Sequence, residues 1–276
     1  LQAAVLGASV LVPMAVAMRS FNPTGRYFVP AMPALHVVAG LGLAGLSGAA
    51  RVARVAPVEP VAPVGGAVRR LGRAAGAVLA LVAVLWGAAF VQGVYGHAHT
   101  RIAASRWIAA NVDSGAVLTS QVWDDGLPLG LDGIDASSWP REQLDLFAPD
   151  DVAKIDALAQ TLTEVDYVVE SSPRLLAEVP RIPARYPSTI LFVEGLESGA
   201  LGFDEVARFD SPPRLSLFGW EAMRLDDDWA EEAFSVYDHP EVRIWQRRDV
   251  LTLAEVRAVL QPWRAATAVA VPPQAA

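Results

Sequence analysis

The chain has 276 residues, 53% of them hydrophobic and 19% charged, with no cysteine, a balance too apolar for one ordinary water-soluble domain. Without cysteine there are no disulfides, thiolate metal sites or thiol nucleophiles. Residues 1–96 hold seven arginines against one acid, Glu59, for a net +6, so residues 97–276 carry −14 of the overall −8, which argues against nucleic acid as a partner of the second part.

Three stretches lack any charged side chain: 1–18, 28–50 and 74–96. Each approaches the roughly 20 residues that a helix needs to cross about 30 Å of hydrocarbon, and buried helices of soluble domains are usually shorter and keep a polar stripe. They predict a membrane region over 1–96 with three transmembrane helices. Leu1 is not an initiator methionine and no basic segment precedes the first stretch, so it does not read as a signal peptide, and the chain is expected to continue upstream.

The linker 51–73 is basic, with Arg51, Arg54, Arg69, Arg70 and Arg73 around an extended middle containing Pro57, Pro60 and Pro63. By the positive-inside rule it is cytoplasmic, and the loop 19–27 and everything after Gly96 then face the other side. Arg19 and Arg26 fall where positive charge is normally sparse. They are either snorkelling side chains at helix ends or, with the Tyr27 hydroxyl, an anion site suited to phosphate at the membrane surface.

From His97 onward polar residues take up regular faces. A helix is expected over 98–112, burying Ala104, Trp107, Ile108 and Val112, then a strand over 116–122. A second helix fits 150–164, with Asp150 as its cap and Val152, Ile155, Ala159 and Leu162 on one face. A short strand follows at 167–169, and a helical turn at 174–178. Residues 187–197 are open between strand and helix, because Ile190-Leu191-Phe192-Val193 is a short apolar run. Late strands are expected at 204–209 and 242–245. Thr252 and Glu255 form a capping box for a last helix faced by Val256, Val259, Leu260 and Trp263. Residues 265–276 read as a disordered tail. The expected fold class is α-helical transmembrane segments followed by a soluble α/β layered domain over 97–264, outside the cytoplasm. Lys154, the single lysine, reads as a compositional bias without a mechanism.

No phosphate-binding Gly-rich loop with lysine, His-Glu-x-x-His or nucleophile elbow is present. His97 and His99 lack a third clustered ligand and read as interfacial side chains, so no metal site is expected from them. Trp123-Asp124-Asp125-Gly126-Leu127-Pro128 follows a predicted strand, where α/β domains place ligand groups. Its carboxylates can orient sugar hydroxyls or a divalent ion, with Trp123 stacking on a sugar face. The plainer reading is a turn with the indole packed inside. Asp238-His239 can act as a general base or simply form a turn before Pro240. Asp226-Asp227-Asp228 reads as a solvated loop.

Asn22-Pro23-Thr24-Gly25-Arg26-Tyr27-Phe28-Val29-Pro30-Ala31-Met32-Pro33, followed by a small-residue span, resembles a signature of multi-spanning glycosyltransferases. These are the polyprenyl-phosphate-sugar-dependent enzymes of the C-type superfamily, the protein-mannosyltransferase and aminoarabinose-transferase-like group. Residues 123–128, 166–172, 201–203 and 236–240 resemble the carboxy-terminal extracytoplasmic domain of bacterial members. The resemblance implies transfer of a sugar from a lipid phosphate carrier to an envelope acceptor, with no nucleotide donor. It implies no assured cofactor, though a divalent metal is possible in the full-length enzyme. Arg26 and Tyr27 carry over as candidates for holding the lipid phosphate, while Trp123, Asp124 and Asp125 are candidates for acceptor or sugar. Such enzymes keep their catalytic carboxylate in a first extracytoplasmic loop that has no counterpart here, so this chain alone is expected to be inactive. The other class consistent with the residues is a non-enzymatic, membrane-anchored binding domain for an envelope partner.

Overall fold

The computed structural model describes residues 66–175, 179–227, 230 and 232–261, with scattered positions between 8 and 40. The first two expected spans therefore lie almost wholly outside the described residues. So do Arg26, Tyr27, the proline-rich part of the linker, Trp263 and the tail. The chain divides into two units, one of residues 1–91 with 215–223 and one of residues 92–214 with 224–276.

In the first unit, helix α1 runs over Gly66–Phe90. At about 1.5 Å per residue it is long enough to span a bilayer. Val78, Leu79, Leu81, Val82 and Val84 are all more than half exposed on it, a pattern water does not favour. Among the described residues this is the one helical run long and apolar enough to cross a membrane, by length and composition. It begins inside the basic linker expected over 51–73, whose Arg69, Arg70 and Arg73 are helical. After Pro63 only glycines interrupt the run, and Ala, Leu and Arg are strong helix formers. The unit also holds residues 215–223 of a two-stranded hairpin, β5 (Arg214–Leu217) and β6 (Trp220–Arg224), which the sequence reading did not anticipate.

The second unit is a mixed α/β domain. A π-helical turn, Val91–Tyr95, leads to helix α2 over Thr100–Asn111, for which the His99 imidazole serves as cap by accepting from the Arg101 amide at 3.2 Å. Then come β1 (Leu118–Gln121), β2 (Arg141–Leu144), α3 (Val152–Glu164), β3 (Tyr167–Glu170), α4 (Pro187–Glu197) and β4 (Phe203–Phe209). After the hairpin follow a short helix α5 (Glu232–Ser235), β7 (Val242–Arg247) and α6 (Leu253–Leu260). Pro187 at the first turn and the length of the run settle α4 as helix. The capping box of α6 is formed by Thr252 and Glu255.

The five-stranded sheet has the order β2-β1-β3-β7-β4. Strands β1, β2 and β3 are parallel, and β7 pairs antiparallel with both β3 and β4. Alternate side chains face two cores. Leu118, Tyr167, Val169, Val242 and Ile244 pack with Ala104, Ile108 and Val112 of α2. Val168, Trp245 and Leu144 pack with Ile155, Leu158 and Leu162 of α3, Phe192 and Leu196 of α4, and Val256 and Leu260 of α6. Trp107 of α2 is only half-buried, against the Phe209 ring.

Two sequence expectations on α3 change. The cap is Asp151, which accepts from the Lys154 amide at 2.8 Å. Asp150 instead accepts from the amide and hydroxyl of Ser188 at 2.6 and 2.8 Å and from Lys154 Nζ at 2.6 Å. Lys154 is thus no mere compositional accident. Buried, its ammonium shares its three protons among Asp150, the carbonyls of Leu146 and Ala148, and Thr189 Oγ1, fastening α3 to the start of α4. A compact cation with three rotatable donors suits this pocket.

Candidate functional site

Because β4 runs parallel to β3 through the antiparallel β7 between them, the carboxyl ends of β1, β3 and β4 share one sheet edge with the amino end of β7. From β1 the chain passes to β2 on one side, while β3 lies on the other. Diverging connections of this kind open a crevice at the carboxyl end, where α/β sheets hold ligands. Trp123, Asp124 and Asp125 stand at that end of β1.

Their surroundings are organised by Arg101, which the sequence did not single out. The first turn of α2 buries its guanidinium. Nη1 donates to Asp125 Oδ2 at 2.7 Å, Nη2 to Asp124 Oδ1 at 3.0 Å, and Nε to the Ser171 carbonyl beyond β3 at 2.9 Å. The Ser172 hydroxyl completes the cluster by donating to the other oxygen of Asp124. One cation thereby ties the loop after β1 to the loop after β3. A buried charge is stable only when paired and hydrogen-bonded in this way.

The two carboxylates differ sharply. The Asp124 side chain is 3% exposed and consumed by Arg101 and Ser172, whereas that of Asp125 is 61% exposed. The pair does not suit a divalent ion, because the guanidinium takes an oxygen of each. Among the described residues no group of three or more His, Cys, Asp or Glu side chains is arranged to hold a metal. Trp123 is neither packed inside nor stacked on a described ring, and its side of the loop lies open at 67% exposure. What the loop presents to solvent is an indole beside a carboxylate.

A second cluster occupies the amino end of β7. His239 is buried between two carboxylates, its Nε2 2.7 Å from Asp227 Oδ2 and its Nδ1 hydrogen-bonded to Asp238. The edge of its ring meets Phe234 at 6.0 Å between centroids. Burial works against the charged imidazole, but the hydrogen bonds and charges of Asp227 and Asp238 outweigh it, and the His239 pKa is raised. This corrects the expectation of a solvated acidic run, since Asp227 is buried as the partner of His239. The arrangement is a clamp between the segment after β6 and the turn before β7.

Beside the clamp lies a cavity of about 280 Å³, reached from Pro173 after β3 and Ser211 after β4, with Arg208, Arg224 and Arg243 facing Glu197, Asp210 and Glu241. Arg243 is buried and bridges Glu205 at 3.0 Å and Glu197 at 3.2 Å. Beneath it Glu170 is buried at the end of β3. Burial raises its pKa, opposed by the hydrogen bond from Trp245 Nε1 at 3.0 Å and by the charge of Arg243.

Residues that follow α1 directly in the chain reach this edge. The Gly93 carbonyl accepts from Ser211 Oγ at 2.6 Å, and Tyr95 Oη donates to Asp238 at 3.2 Å. His97 Nε2 lies 2.7 Å from Arg214 Nη2, so both histidines flanking Ala98 are spent on local structure.

Fold and site together define a layered α/β domain that continues an apolar helix and carries a polar crevice at the carboxyl edge of its sheet. No protein-family model, curated protein or solved structure matches the chain.

Proposed function

We propose that the chain is the carboxy-terminal part of a membrane glycosyltransferase that moves a sugar from a polyprenyl-phosphate carrier to an acceptor outside the cytoplasm, and that the carboxyl edge of the sheet guides the acceptor or sugar. The observation carrying this reading is the exposed Trp123 beside the exposed Asp125, held in place from below by Arg101. An indole face and an adjacent hydrogen-bond acceptor are the two contacts that a pyranose or furanose ring asks of a protein. Support comes from the Arg26-Tyr27 and Pro30-to-Pro33 resemblance and from the apolar helix that leads into the domain. In this reading the segment Gly93 to Tyr95 ends a span at headgroup depth, where a lipid-linked donor presents its phosphate. Arg26 and Tyr27 hold that phosphate from a loop on the same side, and the basic linker 51–73 keeps the cytoplasmic side.

The test is transfer by the full-length protein in membranes supplied with polyprenyl-phosphate sugars. Trp123→Ala should lower transfer roughly tenfold while Trp123→Phe retains most of it, as expected for a stacking contact. Arg26→Ala should remove a charge-assisted contact of about 1.5 to 3 kcal/mol. Unchanged transfer in both variants, or no transfer from any such donor, sinks the reading.

One observation favours a second reading, a non-enzymatic membrane-anchored binding domain. Arg101 engages both Asp124 and Asp125, so neither is a free proton-transfer group. Saturable glycan binding lost in Trp123→Ala, without transfer from any donor, would select it.

A further inference from the structure

Between Arg214 and Arg224 the chain reads Leu-Ser-Leu-Phe-Gly-Trp-Glu-Ala-Met, with Glu221 as its single charge. Strands β5 and β6 are joined by Phe218 and Gly219, at φ +53° and +82°. Two-residue turns with both central residues left-handed match the twist of the strands, and they usually take Asn-Gly or Asp-Gly. Phenylalanine at the first position bears a steric cost that asparagine largely avoids. It gains no packing in return, for its side chain stands clear of the protein at 108% exposure, flanked by Leu217 at 52% and Trp220 at 70%. A strained turn that displays three large apolar side chains marks a contact made with something other than water.

Two further observations say what that something is. Residues 215–223 group with the apolar helix as one unit, apart from the α/β domain whose chain they interrupt. The base of the hairpin is also fixed at the point where the chain leaves the apolar stretch. The backbone of Pro212 and Arg214 occupies the space where a Cβ on Gly93 would sit, so only glycine fits there. Ser211 donates to the Gly93 carbonyl, and Arg214 meets His97. From that level the four-residue arm of β5 reaches about 13 Å. Large apolar side chains at the tip, two of them aromatic, match the acyl boundary of a bilayer.

We propose that Leu217, Phe218 and Trp220 form an insertion loop that enters the headgroup and acyl boundary of the membrane crossed by α1. This rests on the membrane reading of α1 and not on sugar transfer. The loop gives the chain a second point of attachment to the lipid besides the span.

Residues 1–276 lack cysteine, so within them a label goes only where a cysteine is introduced, with any cysteine elsewhere in the full-length protein first replaced by serine. Full-length protein in phosphatidylcholine and phosphatidylglycerol vesicles would carry an environment-sensitive fluorophore at Phe218→Cys, at Trp220→Cys as an independent second site, at Val84→Cys in α1, or at Val250→Cys, which is 83% exposed in the domain. Lipid-borne nitroxides should quench the labels at 218, 220 and 84 several-fold more than the label at 250, and aqueous iodide should show the reverse order. If 84 is quenched by lipid while 218 and 220 behave like 250, the insertion loop is refuted and the span stands. Quenching at none of the three refutes the span and the loop together. Protection of 218 and 220 from iodide without lipid quenching assigns the tip to a protein partner and overturns the proposal. None of these outcomes depends on a sugar donor, so the glycosyltransferase reading is judged separately.

Discussion

At the carboxyl end of β1, Arg101 gathers Asp124, Asp125 and the Ser171 carbonyl around a guanidinium, a cation of permanent charge. At the amino end of β7, His239 gathers Asp227 and Asp238 around an imidazole whose charge depends on pH. Both clusters tie loops together on the same sheet edge. The first holds the indole and carboxylate of the candidate site in place. The second makes the wall of the neighbouring cavity responsive to protons.

Breaking the first cluster should cost most. Arg101→Ala leaves Asp124 buried without its cation, and loss of one partner of a buried pair costs about 3 to 5 kcal/mol. Denaturant unfolding of the detergent-solubilised chain, followed by tryptophan fluorescence, would read it; a loss below about 1 kcal/mol would mean the loops hold themselves.

His239→Gln should cost less, about 1 to 3 kcal/mol for a buried carboxylate deprived of a donor. Its signature is the pH profile. The His239 pKa is raised on folding, so the folded chain binds the proton more tightly than the unfolded chain. The stabilisation is complete below about pH 6.5, the unfolded value, and is lost as pH rises through the higher folded value. The gap between wild type and variant should therefore shrink as pH rises above about 6.5. A gap that stays constant would assign the holding to the neutral ring.

Asp125→Asn tests the exposed arm of the first cluster and should change stability by less than about 1 kcal/mol, as exposed ion pairs generally do. Smallest of all is Trp123→Ala, expected to leave stability within about 0.5 kcal/mol because the ring packs on little. These last two sharpen the comparison by separating the residues that build the edge from those that face outward. Thermal melts of the pair beside a glycan-binding measurement would show whether recognition and stability part company there.

The sequence revealed the elements whose signal is local. Helices α2 and α3 follow from the spacing of Ala104, Ile108 and Val112 and of Ile155, Ala159 and Leu162, and α6 follows from its capping box. Strand β2 went unread because Arg-Glu-Gln-Leu at a sheet edge has three exposed side chains and no apolar alternation. The hairpin went unread because Phe-Gly is not the expected turn pair. Trp123 to Asp125 were legible because a loop after a strand is where α/β ligand groups gather. Their partners were not, since Arg101 lies 23 residues from Asp124 and 70 from Ser171. Asp227 looked solvated among three acids because its imidazole partner is 12 residues further on.

The order of strands also bears on how the domain comes into being. Strand β7 is the last of the five to be synthesised, yet it sits between β3 and β4, with its register running from Val242 against Phe209 to Arg247 against Phe203. Until residue 247 emerges, β3 has an open edge and β4 has no neighbour in the sheet, so assembly waits for contacts distant in sequence. A nascent chain stopped before Val242 would therefore leave one edge of β3 and both edges of β4 unpaired, open to whatever chaperones await it.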